Sequence, residues 1–264
     1  MLKMKTQSLF VALLLCCVTF AVGQKKFTYF GIETGPNFGI FKFTDTGGFI
    51  YTKTQFDKPY IALRLEQEIT SGLSISVGVL KHDYTTNFQF TNDESYSTYV
   101  AMQNLHIPVR LSYTIPIKFG VPEVRLTPFI GAQYVKNSAF GKSDTIKERL
   151  TPNFSNYFVG KINGSSSNYT LLEGGMGVDF MFQKGLTMSV NGFYAHGLKT
   201  AAQIDLTYHV NPMDAKESQT AVITTSGSYF GFSLGLRYPI SRFWQRLNPV
   251  KAGKAKEKTK EIPK

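Results

Sequence analysis

The stretch from Tyr169 to Gly197, YTLLEGGMGVDFMFQKGLTMSVNGFYAHG, alternates apolar residues with polar residues or glycine over nearly its whole length. Leu172, Met176, Val178, Phe180 and Phe182 share one parity, and Glu173, Gly175, Gly177 and Asp179 share the other. Successive side chains of a strand point to opposite faces, so a period of two predicts a strand. Gln183-Lys184-Gly185 is a tight turn, after which Leu186, Met188, Val190 and Tyr194 oppose Thr187, Ser189 and Asn191. The stretch therefore reads as a hairpin of two long strands. A soluble sandwich rarely needs strands of about ten residues with carboxylates and glycines on the second face. A membrane barrel does, because about 9–11 tilted residues cross a bilayer, with apolar side chains toward lipid and polar ones toward the lumen.

The same pattern recurs along the chain. From Phe27 to Phe43, Phe30, Ile32, Phe38 and Ile40 oppose Glu33 and Asn37; Thr44 to Pro59 reads as a long polar loop. Ile61, Leu63, Leu65 and Ile69 alternate with Arg64, Glu66 and Glu68, and the Thr70-Ser71-Gly72 turn leads into Leu73, Ile75, Val77 and Val79. A polar loop near Thr91 to Ser97 precedes Leu105, Ile107, Val109, Leu111 and Tyr113, which oppose His106, Arg110, Ser112 and Thr114. Beyond Ile115 to Pro122, Leu126, Ile130 and Tyr134 oppose Arg125, Thr127 and Gln133. Asn137 to Asn168 and Leu198 to Ser228 read as long loops, and Phe230, Phe232, Leu234, Leu236 and Tyr238 form the last apolar face. About eight strands result, an even number, with connections alternating long and short. The predicted fold is all-β: a transmembrane antiparallel up-and-down β-barrel with tight turns at one end and extended loops at the other. Tyr29, Tyr60, Tyr113, Tyr134, Tyr169 and Tyr238, near strand ends, suggest an interfacial aromatic girdle.

The N-terminus fits export. Lys3 and Lys5 precede the apolar run Leu9 to Val18, and Ala21-Val22-Gly23 forms a small-x-small cleavage site before Gln24. That run is too short for a spanning helix. Residues 1–23 are thus expected to be a signal peptide, 24–240 the barrel and 241–264 a basic periplasmic tail. Cys16 and Cys17, the chain's two cysteines, both fall in the leader, which leaves the mature chain without a thiol, a disulfide or a cysteine metal site. The 22 Phe, 14 Tyr and 23 Gly suit an exported β chain. The net charge of +11 falls by two when Lys3 and Lys5 leave, and the last fourteen residues, with six Lys and two Glu, carry +4 of the remainder; for an exported chain this excess does not point to nucleic acid.

Parity assigns the lumen an ionic content of Glu33, Arg64, Glu66, Glu68, Arg110, Arg125, Glu173, Asp179 and Arg237. The interior of a barrel of about eight strands is just filled by side chains, so these charges are expected to pair with one another or with trapped water. Arginine suits the task because its planar fork bridges two carboxylates. A narrow channel for small solutes is the alternative. A third reading, an outer-membrane lipid-modifying enzyme, rests on His82-Asp83 and His106 flanking one external loop and on His196 near Ser226 and Ser228. No His-Glu-x-x-His, phosphate loop or metal-ligand spacing is present, and no catalytic residue, cofactor or metal is assigned. Asn163-Gly164-Ser165 formally matches a glycosylation sequon in a loop whose bland reading is a solvated, variable segment.

Leu105-His106-Ile107-Pro108-Val109-Arg110-Leu111-Ser112-Tyr113, with Gly31-Ile32-Glu33-Thr34-Gly35 and Gly174-Gly175-Met176-Gly177-Val178-Asp179, resembles the PorT-like outer-membrane β-barrel family of Bacteroidetes, within the wider OmpA/OmpX-like class. The resemblance covers nearly all of Gln24 to Tyr238. It implies a bacterial outer-membrane location and, for some members, a part in assembling the type IX secretion apparatus. The expected function is a non-enzymatic membrane anchor or interaction platform. Its expected partners are outer-membrane lipid and, through Arg242-Phe243-Trp244-Gln245-Arg246 and the lysine-rich Lys251 to Lys264, peptidoglycan or a periplasmic protein.

Overall fold

The computed structural model describes residues 27–54, 59–90, 93–117, 123–137, 145–148, 157–163, 168–182, 185–209 and 218–240. The leader, the tail 241–264, the Gln183-Lys184 part of the hairpin turn and Gly164-Ser165 of the sequon lie outside the described residues.

Among the described residues the chain forms strands almost throughout. They are β1 Thr28–Gly35, β2 Asn37–Gly39, β3 Lys42–Asp45, β4 Ile50–Thr54, β5 Tyr60–Thr70 and β6 Leu73–Phe90. These are followed by β7 Asp93–Tyr113, β8 Ile115–Ile117, β9 Glu123–Asn137, β10 Thr145–Glu148 and β11 Tyr157–Asn163. The remainder are β12 Asn168–Met181, β13 Thr187–Gly197, β14 Ala202–His209, β15 Gln219–Thr225 and β16 Tyr229–Pro239. Eight of them, in the order β1-β5-β6-β7-β9-β12-β13-β16, pair antiparallel. The ring closes where β16 meets β1, with Phe30 opposite Tyr238 and Glu33 opposite Gly235. The predicted eight-stranded up-and-down barrel is the observed fold. Closure leaves this sheet with no exposed edge in its wall.

Local chemistry explains the turns. Gly72, between β5 and β6, and Gly185, between β12 and β13, have φ of 87° and 83°, in the left-handed region that favours glycine. The first barrel strand breaks at Pro36, which lacks a donor, but pairing resumes through β2, with Phe38 opposite Phe230. Phe232 N donates to Pro36 O at 3.1 Å across the break. Gly35 is needed there because any Cβ would run into the Phe232 carbonyl.

The outer wall is apolar on every strand. Ile130 is 66% and Ile61 64% accessible, and Leu234, Phe232, Met176, Leu172 and Ile32 are exposed beside them. Large aliphatic side chains this open to the surroundings form a continuous apolar band that water does not suit. Of the tyrosines expected in a girdle, Tyr113, Tyr134 and Tyr238 are exposed, but Tyr60 and Tyr169 are buried inside and Tyr29 is only partly accessible. Tyr60 shares its parity with Ala62 and Arg64, and Tyr169 with Leu171 and Glu173, so both must point inward; nearness to a strand end was the weaker guide.

Three segments read as polar loops turn out to carry strands. β10, β11, β14, β15 and β3 form a second, five-stranded antiparallel sheet at the long-loop end. Ile204, Leu206, Tyr208, Ala221 and Ile223 are buried there. The hairpin of β6 and β7 also outruns its expected limits, reaching Phe90 and Asp93, with β4 added along β6. One apolar core joins this sheet to the upper lumen through Tyr60, Leu80, Val135, Leu171 and Tyr229.

Candidate functional site

Inward positions fall into two layers. The strand registers set four of the inward charged residues across from small ones. Arg64 faces Gly31 and Gly78, Arg110 faces Ser76 and Gly131, Glu173 faces Gly131 and Ala195, and Glu33 faces Ala62 and Gly235. The missing side chains leave the space that the guanidinium stems occupy. A Cβ on Gly131 would lie 3.1 Å from Arg110 Cγ, and one on Gly31 would lie 3.0 Å from Arg237 Cγ.

Two ionic groups form in that space. Arg110 donates from Nε to Glu173 Oε2 at 2.9 Å, pairs again through Nη2 with Glu173 Oε1, and reaches Glu33 Oε2 from Nη1 at 3.3 Å. Glu33 also accepts from Arg64 Nη2 and from the Tyr60 hydroxyl, the latter at 2.6 Å. The Arg110 guanidinium lies 4.8 Å from the centroid of Phe129 and 5.5 Å from that of Phe193, so its faces meet aromatic rings while its edges meet carboxylates. In the second group Arg237 donates to Glu66 Oε2 at 2.6 Å and to Asp179 Oδ2 at 2.5 Å. Ser74 Oγ donates to Glu66 at 2.9 Å and Thr127 Oγ1 to Asp179 at 2.7 Å. Each buried carboxylate of the two groups thus has at least two donors, which is what burial of charge requires.

Glu33, Glu66, Arg110, Glu173 and Asp179 are buried, while the side chains of Arg64 and Arg237 keep 15% and 16% of their accessible area. Glu68 and Arg125 sit lower, at the mouth of the barrel, and Arg125 pairs with Glu123 at 2.9 Å outside both groups. Between the two groups is a cavity of about 20 Å³, lined by Arg64, Ser76, Asn191 and Arg237 among others. That is space for about one water molecule.

The upper layer is one that parity assignment of charges did not bring out. Tyr229, Tyr60, Tyr169, Phe193, His82 and His106 fill the lumen toward the long-loop end. Gln133 Oε1 accepts from the Tyr229 hydroxyl at 2.9 Å and lies 2.8 Å from His106 Nδ1. The His82 and His106 rings are 5.6 Å apart, each edged against Tyr229. The lipid-modifying reading needed these histidines at a wetted rim. Both are buried, at 1% and 0% accessibility, because they share the parity of Leu80 and Arg110 and lie inside the wall. His196 is the exposed one, with Nδ1 3.3 Å from the Tyr194 hydroxyl on the outer face. Ser228 Oγ is occupied in accepting from Gly197 N at 2.9 Å. Among the described residues no group of three or more His, Cys, Asp or Glu is placed to hold a metal ion.

At the long-loop end Asp45 fastens the second sheet. Its carboxylate accepts from Gly47 N at 3.1 Å, Ile50 N at 2.9 Å and the Tyr208 hydroxyl at 2.7 Å. Burial, then the bond to Asp45, pushes that hydroxyl above the ordinary phenol range, so it stays a donor.

Among solved structures the chain is similar to the outer membrane protein OprG from Pseudomonas aeruginosa, at 12% identity over 81% of this chain and 97% of that one, with a TM-score of 0.47. Neisserial surface protein A shares 10% identity over 80% and 96% of the two chains, with a TM-score of 0.40. The outer membrane protease OmpT from Escherichia coli shares 11% over 82% and 97%, with a TM-score of 0.39. No family model matches the chain, and no curated protein matches it. The closed antiparallel ring of eight strands is read from the chain's own strand pairing.

Proposed function

We propose that the protein is a non-enzymatic barrel of the bacterial outer membrane that serves as an anchor, with the second sheet and the β6–β7 hairpin as its outward interaction surface. The observation that carries this reading is a closed, apolar-walled barrel whose lumen is filled from one end toward the other. An ionic layer lies below, an aromatic layer above it, and a buried sheet core lies at the top. A wall of this kind needs lipid outside, and a lumen of this kind transmits little. The resemblance carried by Leu105–Tyr113 and Gly174–Asp179 supports placing the chain with the PorT-like barrels of Bacteroidetes and its work in envelope or secretion-system assembly. Thr220, exposed on the second sheet, and Ser71, in the β5–β6 turn, supply the test. In cells carrying single cysteines at these positions, a membrane-impermeant maleimide should label T220C from outside and leave S71C untouched until the outer membrane is opened. Equal labelling of both, or recovery of the protein in the soluble fraction, would overturn the proposal.

A further inference from the structure

The outward positions from Leu73 to Val79 on β6, Leu105 to Tyr113 on β7 and Val124 to Tyr134 on β9 carry no Lys, Arg, Asp or Glu. At the long-loop end this apolar face stops at two lysines. Lys81 on β6 pairs with Leu105 on β7, and Leu105 pairs in turn with Lys136 on β9, so register sets the lysines in one row with a leucine between them. All three are exposed, as is Tyr134, two residues below Lys136 on the same face. Asp83, two residues beyond Lys81 on that face, is half-buried, and neither lysine forms an ion pair among the described residues. The height fits a membrane boundary. Lys136 lies ten residues beyond Leu126, roughly 33 Å along the strand and about 25 Å along the axis of a barrel whose strands tilt about 40°, which is the height of the apolar band of a spanning barrel. At the tight-turn end the same three strands present Leu73, Tyr113 and Val124, so the charge marks one leaflet.

We infer that Lys81 and Lys136 form a binding site for the phosphate headgroup of a lipid in the leaflet at the long-loop end, its acyl chains lying down the apolar face below. Two strand spacings put the lysine backbones roughly 10 Å apart, and their four-carbon stems can close on one phosphate held over Leu105. An ammonium binds phosphate as a point charge and needs no fixed fork geometry, so lysine suits a mobile headgroup. Tyr134 sits where an amphipathic ring meets headgroups. Two neighbouring cations on an otherwise apolar face repel each other, and an anion between them removes that repulsion. This inference rests on the membrane reading given above.

The test titrates the full chain, folded in detergent, with diphosphoryl lipid A and with the same lipid stripped of its phosphates, read by native mass spectrometry. Wild-type protein should hold the phosphorylated lipid about thirty times more tightly than the stripped one. K81Q and K136Q should each weaken binding about fivefold, and the double variant about thirtyfold. K42Q, which removes an exposed lysine from the second sheet, should leave binding unchanged. Moving a charge separates a site from a charged rim: K136Q with L198K keeps the net charge at the same end but takes it out of the row, and should bind as weakly as K136Q alone. Inorganic phosphate at the lipid's concentration should displace nothing. Heat-modifiable migration in gels verifies that each variant is folded. Equal binding of the two lipids by wild-type protein, recovery of binding by L198K, or displacement by inorganic phosphate would overturn the inference. Membrane fractionation keeps the two readings apart: wild-type protein that stays in the membrane but binds both lipids alike removes this inference alone, whereas wild-type protein in the soluble fraction removes both.

Discussion

Removing Arg110 is the most informative perturbation of the lumen. Its guanidinium satisfies both oxygens of Glu173 and one of Glu33, at 3% side-chain accessibility, and is packed between Phe129 and Phe193. Arg110→Ala strands Glu173, whose side chain has 0% accessibility, as an uncompensated buried charge. Glu33 keeps Arg64 and Tyr60, so its loss is partial. Breaking one buried pair from one side costs about 3–5 kcal/mol, and the vacated cation–π contacts act in the same direction. Arg110→Met with Glu173→Gln should recover more than half of that loss, since removing both charges together leaves neither unpaired. The assay is reversible urea unfolding in lipid vesicles, read by far-ultraviolet circular dichroism and by gel migration. A loss below about 1 kcal/mol for Arg110→Ala would refute the buried-pair reasoning, as would a double variant less stable than the single.

Three further expectations follow from single contacts. Gly131→Ala should destabilise the barrel by about 1–3 kcal/mol, because its Cβ meets Arg110 and the Val109 carbonyl, whereas Gly174→Ala, with nothing within 4 Å, should change stability by less than about 0.5 kcal/mol in the same unfolding assay. Tyr208→Phe removes a donor to Asp45 and should cost about 1–3 kcal/mol locally, seen as faster amide exchange at Gly47 and Ile50 while β12 and β13 stay protected. Leu234→Arg, at the middle of the exposed face of β16, should cost about 2–4 kcal/mol in bilayers, and equal stability in lipid and in detergent-free buffer would deny that this face meets lipid.

The eight barrel strands were legible because each carries its apolar residues on one parity, and tight turns at Gly72 and Gly185 fix which strand follows which. The side on which Glu33, Arg110, Glu173 and Asp179 lie follows from the same parity. Their partners do not, because Arg110 is 63 residues from Glu173 and 77 from Glu33, and only closure of the barrel sets the height at which they meet. The second sheet was hidden for a different reason. Ile204, Leu206 and Tyr208 alternate with Gln203, Asp205 and Thr207, but a short amphipathic strand has no stability of its own and takes its meaning from β11 and β15 beside it. The aromatic layer was obscured by residue type. Tyr60 and Tyr169 have polar tips and lie near strand ends, which suggested an interface, and His82 and His106 were read as flanking an external loop, whereas parity alone turns all four inward.

The filled lumen is the central claim, and ion conductance tests it most directly. The full chain, inserted in a planar bilayer, should show no stepwise conductance above the lipid background, since the ionic layer leaves about 20 Å³ and the aromatic layer lies above it. Regular, voltage-independent steps from the wild-type protein, abolished when Arg64 and Arg237 are exchanged for bulkier neutral residues, would contradict the anchor account and make the chain a channel.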